Sequence, residues 1–194
     1  MIKVGVTGGI GSGKTSICKI FEVLNIPVYY SDDRAKALMI SDNRLISEIK
    51  KLFGDNAYLD DGALNRKLIG SIVFKDQTKL DALNHLVHPV VHRDSKKWNA
   101  EQISKYTLRE AAIMIESGGY KMIDKLILVY TPKEIRIERV MKRDQVSREI
   151  VLDRMSKQMS DIDKMDYADY LIYNDGKTSL IKQVLQIHED LLAS

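Results

Sequence analysis

Three observations predict a parallel α/β protein. Strand-like apolar runs alternate with segments of helical period, a glycine loop joins the first strand to the first helix, and Lys125–Thr131 is apolar on both faces. Strands covered by helices on both sides carry such continuous apolar runs. Alternating strands and helices are the pattern of a parallel sheet. With 194 residues, 44% of them hydrophobic, the chain suits one domain with a small inserted subdomain.

Ile2–Thr7 reads as a short buried strand, and a helix follows from about Lys14 to Leu24, where Ile17, Ile20, Phe21 and Leu24 recur at helical spacing. Ile26–Tyr30 reads as a second strand, with Pro27 tolerable at its start. Ser31 resembles a helix N-cap, and the helix dipole favours Asp32 and Asp33 in the first turn. Residues 32–104 are largely helical in pattern, with a turn near Gly54–Gly62 and a restart at Pro89. This block holds no convincing strand and reads as a helical insertion. Strand signals return at Thr107–Ile115 and Lys125–Thr131. Helices are expected from Pro132 to about Asp144 and from about Ser147, then a short strand over Tyr170–Tyr173. Asn174–Gly176 turns the chain into a last helix.

Thirty Lys and Arg against 27 Asp and Glu are too balanced to imply a nucleic-acid protein and suit anionic small molecules equally well, so no nucleic-acid partner is expected. The single cysteine excludes an intramolecular disulfide framework and a cysteine zinc site. Four glycines within six residues interrupt the run from Val4, so the start does not read as a signal peptide. No apolar stretch approaches the ~20 residues that span a bilayer. A soluble, cytoplasmic protein is expected.

The chemistry begins at "TGGIGSGKTS", Thr7–Ser16. Gly8, four residues, Gly13, Lys14 and Thr15 satisfy the phosphate-loop pattern between a strand and a helix. The glycines, Gly8, Gly9, Gly11 and Gly13, let backbone N–H groups turn inward around Ser12, and the helix start at Lys14–Ser16 adds a positive dipole. Lys14 is expected on the β- and γ-phosphates of ATP, and the Thr15 hydroxyl on Mg²⁺. A GTPase would carry D-x-x-G and N-K-x-D strings, and neither occurs. A motor-type ATPase would end a buried strand with a carboxylate, whereas "KLILVYTP" ends in Thr131 and Pro132. These missing parts favour a small-molecule kinase.

Ligands of open α/β sheets lie beyond the carboxyl ends of the strands. Asp32 and Asp33 leave the second strand at that edge, where a carboxylate could accept a proton from an attacking hydroxyl or place Mg²⁺ through water. The same two acids also fit plain stabilisation of a helix start.

The stretches "TGGIGSGKT", "SDDRAKAL", "LNHLVHPVV", "IMIESGGYKMID", "KRDQVSRE", "RMSKQ" and "ADYLIYNDG" occur in the order seen in dephospho-CoA kinases, which the chain resembles over nearly its whole length. The resemblance implies phosphoryl transfer from ATP to the ribose 3′-hydroxyl of dephospho-CoA. It also implies a three-layer P-loop fold with a five-stranded parallel sheet. On that reading the nucleotide-binding core is 1–31 and 105–194, the acceptor subdomain 32–104, and the lid 143–164. Asp32 is then the base, while Tyr30 stands where the family commonly shows a first acid. Glu116 is retained from the family's P-L-L-x-E although Ala112 replaces the proline, and Arg66 could pair with an acceptor phosphate.

Arg136, Arg139 and Arg143 fall at i, i+3 and i+7, on one side of a helix. The resemblance matches Arg139 and Arg143 to arginines facing ATP, with Arg143 catalytic, and leaves Arg136 on the surface. A solvated basic face is the alternative, since nine Lys and Arg lie beside seven Asp and Glu between Lys133 and Lys164. His85, His88 and His92 share a helical spacing, but Pro89 interrupts that face and no acidic ligand cluster accompanies it, which disfavours a metal site. The HP context of the resemblance puts His88 beside the acceptor or at a helix cap. Glu116 is expected to order the acceptor or a lysine near the site, or else to be a plain acid at a helix start. Asn174 and Gly176 match a loop near the adenine, or form a simple turn.

Overall fold

The computed structural model describes all 194 residues. The chain forms two compact units, Met1–Tyr30 with Gln102–Ser194, and Ser31–Glu101. The sequence places these boundaries after residues 31 and 104.

The first unit is built on a five-stranded parallel sheet ordered β2-β3-β1-β4-β5, from β1 (Ile2–Thr7), β2 (Val28–Tyr30), β3 (Tyr106–Glu110), β4 (Lys125–Tyr130) and β5 (Tyr170–Tyr173). On one face Val4, Val6, Leu108, Ile127, Val129 and Ile172 meet Ile17 and Phe21 of α1 (Lys14–Val23). Val184, Ile187 and Leu191 of the last helix (Leu180–Ala193) complete that layer. Full burial of such side chains contributes about 1.5–3 kcal/mol each. The other face packs Leu126 with Ala111, Met114 and Ile115. The edge of β5 is closed by Gln183, which accepts from Tyr173 N–H at 2.8 Å and donates to its carbonyl at 3.0 Å. A side-chain amide thus occupies backbone groups that would otherwise be an open pairing edge.

Two strands are shorter than expected. Pro27 has no N–H for the ladder, so β2 starts at Val28, although the Pro27 carbonyl still accepts from Leu108 at 2.9 Å. The expected strand over Thr107–Ile115 ends at Glu110. Its neighbours β1 and β2 end at Thr7 and Tyr30, and beyond them only Ala111 N–H finds a strand carbonyl, that of Val6 at 3.1 Å. The apolar residues after Ala111 turn under the sheet instead.

The second unit holds α2 (Ser31–Ser41), α3 (Asn43–Phe53), a 3₁₀ turn (Asp55–Ala57), α4 (Arg66–Val73) and α5 (Gln77–Ala100). Asp42, Asn65 and Asp76 cap three of these helices through N–H groups of Leu45, Leu68 and Lys79. The restart expected at Pro89 does not occur: α5 runs through it. The lost bond to the His85 carbonyl is outweighed by burial of Val87 and Val91 on either side. The Arg34–Asp94 and Arg93–Asp42 contacts further tie α5 to its neighbours.

Candidate active site

The loop after β1 is held open by its own backbone conformation. Gly13 caps α1 at φ 90°, left-handed, and a Cβ there would run into the Asn174 amide. Gly8 has φ 153°, and its Cβ would fall 2.5 Å from the Val129 carbonyl oxygen. No side chain caps α1 and no acid occupies its first turn, so the positive end of its dipole is left to a ligand. Thr15 and Ser16, both exposed, stand in that turn.

Buried donors brace the loop from behind. The Ser12 carbonyl accepts from Thr131 Oγ1 at 2.9 Å and from Asn174 Nδ2 at 2.8 Å. Arg139 in turn donates from Nη2 to Asn174 Oδ1 at 3.2 Å. Ile10 N–H donates to Gln158 Oε1 at 2.8 Å. The Ser12 hydroxyl is buried with no partner. Asn174 thus does more than turn the chain near Gly176, and neither the brace by Thr131 nor that by Gln158 is visible in motif spacing.

Lys14 folds back across the loop. Its Nζ donates to the Gly8 carbonyl at 3.0 Å and lies 3.9 Å from Glu110 Oε1. Glu110 ends β3, pairs in register with Val6 and Tyr30, and is buried. A carboxylate therefore does stand beside the phosphate-loop lysine, on β3 rather than at Thr131 after β4. The sequence points to β4 because it is the most apolar run, but both strands flank β1. Below the loop, burial first and then the negative charges of Glu110 and Glu22 push the Cys18 thiol far above its usual range. Burial likewise raises the Tyr30 phenol, which packs against the core.

The three arginines of α6 (Lys133–Asp144) have separate surroundings. Arg136, expected on the surface, is buried against the loop and pairs with Asp161 of α8 (Asp161–Met165) at 3.1 Å. The reason is packing: its neighbours Ile137 and Val140 join the core with Val151 of α7 (Arg148–Ser156). Arg139 reaches the loop through Asn174. Arg143 does not; it is exposed and clasps Asp144 through Nε at 2.7 Å and Nη2 at 3.1 Å, while Asp144 also accepts from Arg154.

Glu116 begins no helix and instead faces a lysine. It accepts from Met159 N–H at 3.0 Å and pairs with fully buried Lys164 at 3.0 Å, without hydrogen-bond alignment. Gln158–Lys164, placed in the lid by sequence, is therefore fastened to the core. In the second unit Asp32 is exposed in the first turn of α2, beside Asp33, which Lys36 holds at 2.7 Å. Arg66 opens α4 and His88 lies on α5, both exposed.

A phosphate loop leaving the central strand of a parallel five-stranded sheet, with its lysine beside a buried acid and an arginine-bearing helix behind, defines a P-loop kinase. The family model for dephospho-CoA kinase matches residues 2–179, and the chain belongs to that family. It is 36% identical over 187 residues to the dephospho-CoA kinase of Bacteroides fragilis, covering 96% of this chain and 91% of that one. It is also 36% identical over 194 residues to that of Aquifex aeolicus, covering 98% of each. A crystal structure from Thermus thermophilus matches with a TM-score of 0.88 at 30% identity, over 100% of this chain and 98% of that one.

Proposed function

We propose that the chain transfers the terminal phosphoryl group of ATP to the ribose 3′-hydroxyl of dephospho-CoA, giving CoA and ADP. The observation that carries this reading is the loop itself, braced from behind and open at an uncapped helix start, in a chain of the dephospho-CoA kinase family. Lys14 exchanges the Gly8 carbonyl for the β- and γ-phosphates, where negative charge builds during transfer.

The exposed Thr15 hydroxyl fits Mg²⁺, a cation that takes few protein ligands and keeps several waters. The metal, bound with ATP, neutralises phosphate charge, and Asp32 could hold one of its waters. Asp32 takes the proton leaving the 3′-hydroxyl. It is engaged by no ion pair, unlike Asp33. Arg139 and Arg143 cover the transferring group and exclude water, the latter after release from Asp144. Arg66 pairs with a phosphate of the acceptor, beside which His88 also lies. Glu116 acts through Lys164 and the Met159 backbone. Asn174 and Gly176 border the adenine.

Chromatography of reactions of the purified protein with Mg·ATP and dephospho-CoA, adenosine or another alcohol tests the assignment. CoA and ADP should form in equal amounts with dephospho-CoA, and Lys14→Ala should abolish turnover with every acceptor. Phosphorylation of another alcohol with no CoA formed refutes the substrate.

A further inference from the structure

We infer that Arg136 is a second cation at the terminal-phosphate end of the loop, contacting the transferring γ-phosphate beside Lys14, and that Asp161 positions it. This rests on the reading of Gly8–Ser16 as an ATP loop and adds a contact to that site.

The first ground is place. Lys14, whose role is to reach the outer phosphates, has its ammonium at the Gly8 carbonyl. The inner phosphates belong at the start of α1, so the Gly8–Gly9 limb marks the outer end. The Arg136 guanidinium lies against that limb, with Nη1 in the space a Cβ on Gly9 would fill. The two cations approach adjacent residues from different elements, α1 and α6.

The second ground is unused bonding capacity. A guanidinium carries five N–H donors. The side chain is only 11% exposed, yet its one partner is Asp161, and its Nε is buried with none. The buried Nε is closed to a ligand, but Nη1 at the Gly9 limb also has no partner, and an arriving anion supplies one as a charge-assisted bond.

The third ground is support. The Arg136 backbone packs on Gly11, 2.7 Å from the space a Cβ there would fill, so the loop and α6 fix each other. Asp161 starts a helix capped by Ser160, close after Gln158, which holds the loop at Ile10 N–H. Both members of the pair are therefore tied to the loop itself. Arg136 forms no covalent bond in this role; it balances charge on the oxygens of the transferring group.

The test is calorimetric binding of Mg·ADP and of the non-hydrolysable Mg·AMP-PNP to wild type, Arg136→Lys and Asp161→Asn, with melting temperatures alongside. Lysine keeps the charge but replaces the fork with a point donor. Arg136→Lys should weaken AMP-PNP at least ~10-fold while ADP stays within ~3-fold, and kcat should fall with the KM for dephospho-CoA unchanged. Asp161→Asn should weaken AMP-PNP about 3- to 10-fold, again sparing ADP. A structural brace would weaken both nucleotides alike. Equal losses, or none, overturn the inference, and if Arg136→Lys does not fold, the ratio in Asp161→Asn decides by the same rule. Wild type that binds neither nucleotide overturns the ATP-loop reading itself.

Discussion

The Ser12 carbonyl gives the sharpest test of how the phosphate loop is held, because two buried donors converge on it. Thr131→Val removes one donor with little change of shape, and Asn174→Ala removes the other. In either single variant the carbonyl keeps one partner, so the loss is that of a single neutral bond, about 1 kcal/mol. Asn174→Ala also frees Arg139, adding about 1 kcal/mol more because that guanidinium is only half-buried and can turn to water. In the double variant the carbonyl is buried with no donor, which adds a further ~1–3 kcal/mol beyond the sum. For a chain of this size each kcal/mol is about 2–4 °C in Tm. Scanning calorimetry should therefore give drops of about 2–4 °C for Thr131→Val and 4–8 °C for Asn174→Ala, with the pair falling below their sum by at least ~2 °C. Affinity for Mg·ADP should follow the same order. Additivity within ~0.5 kcal/mol would refute the shared acceptor, since independent sites add to about that tolerance.

Other consequences are equally direct. Asp32→Asn should lower kcat at least ~10²-fold in steady-state turnover while ADP affinity stays within about 3-fold, and an unchanged kcat removes Asp32 from the proton transfer. Gly13→Ala places a methyl in left-handed backbone and against the Asn174 amide; nucleotide binding by calorimetry should be lost, and retained affinity would contradict the close approach. Cys18 holds its proton in the folded chain well above about pH 9, where the unfolded thiol ionises, so the unfolded state binds fewer protons there and stability falls as pH rises. Urea unfolding from pH 8 to 10.5 should show a shallower loss for Cys18→Ala than for wild type, and parallel curves would refute the linkage.

Much of the fold is written in periodicity, and the exceptions have physical causes. The sheet follows from β4, whose two apolar faces demand cover on both sides, and from the alternation of strands and helices around it. The strand expected over Thr107–Ile115 overshoots β3 because strand propensity does not reveal where the neighbouring strands stop. Backbone chemistry alone makes Pro89 a break. The burial of Val87 and Val91 that carries α5 through it is a tertiary effect.

The glycine loop is legible in the sequence for the same reason that its braces are not. A glycine loop, its lysine and the first turn of a helix are contiguous, so their order in the chain is their geometry. Glu110, Thr131 and Asn174 come from elsewhere in the chain and meet the loop through the strand order, and Gln158 meets it through the segment after α7. The arginines of α6 make the limit concrete. Spacing of i, i+3 and i+7 defines a face but not which end of that face meets another element. Here the amino end packs on Gly11, so Arg136 is enclosed, Arg139 reaches Asn174, and Arg143 passes beyond the loop to Asp144. Charge counting along α6 treats the three alike. Their distance from the point where the helix crosses the loop separates them, and it assigns the enclosed Arg136 the place nearest the outer phosphate.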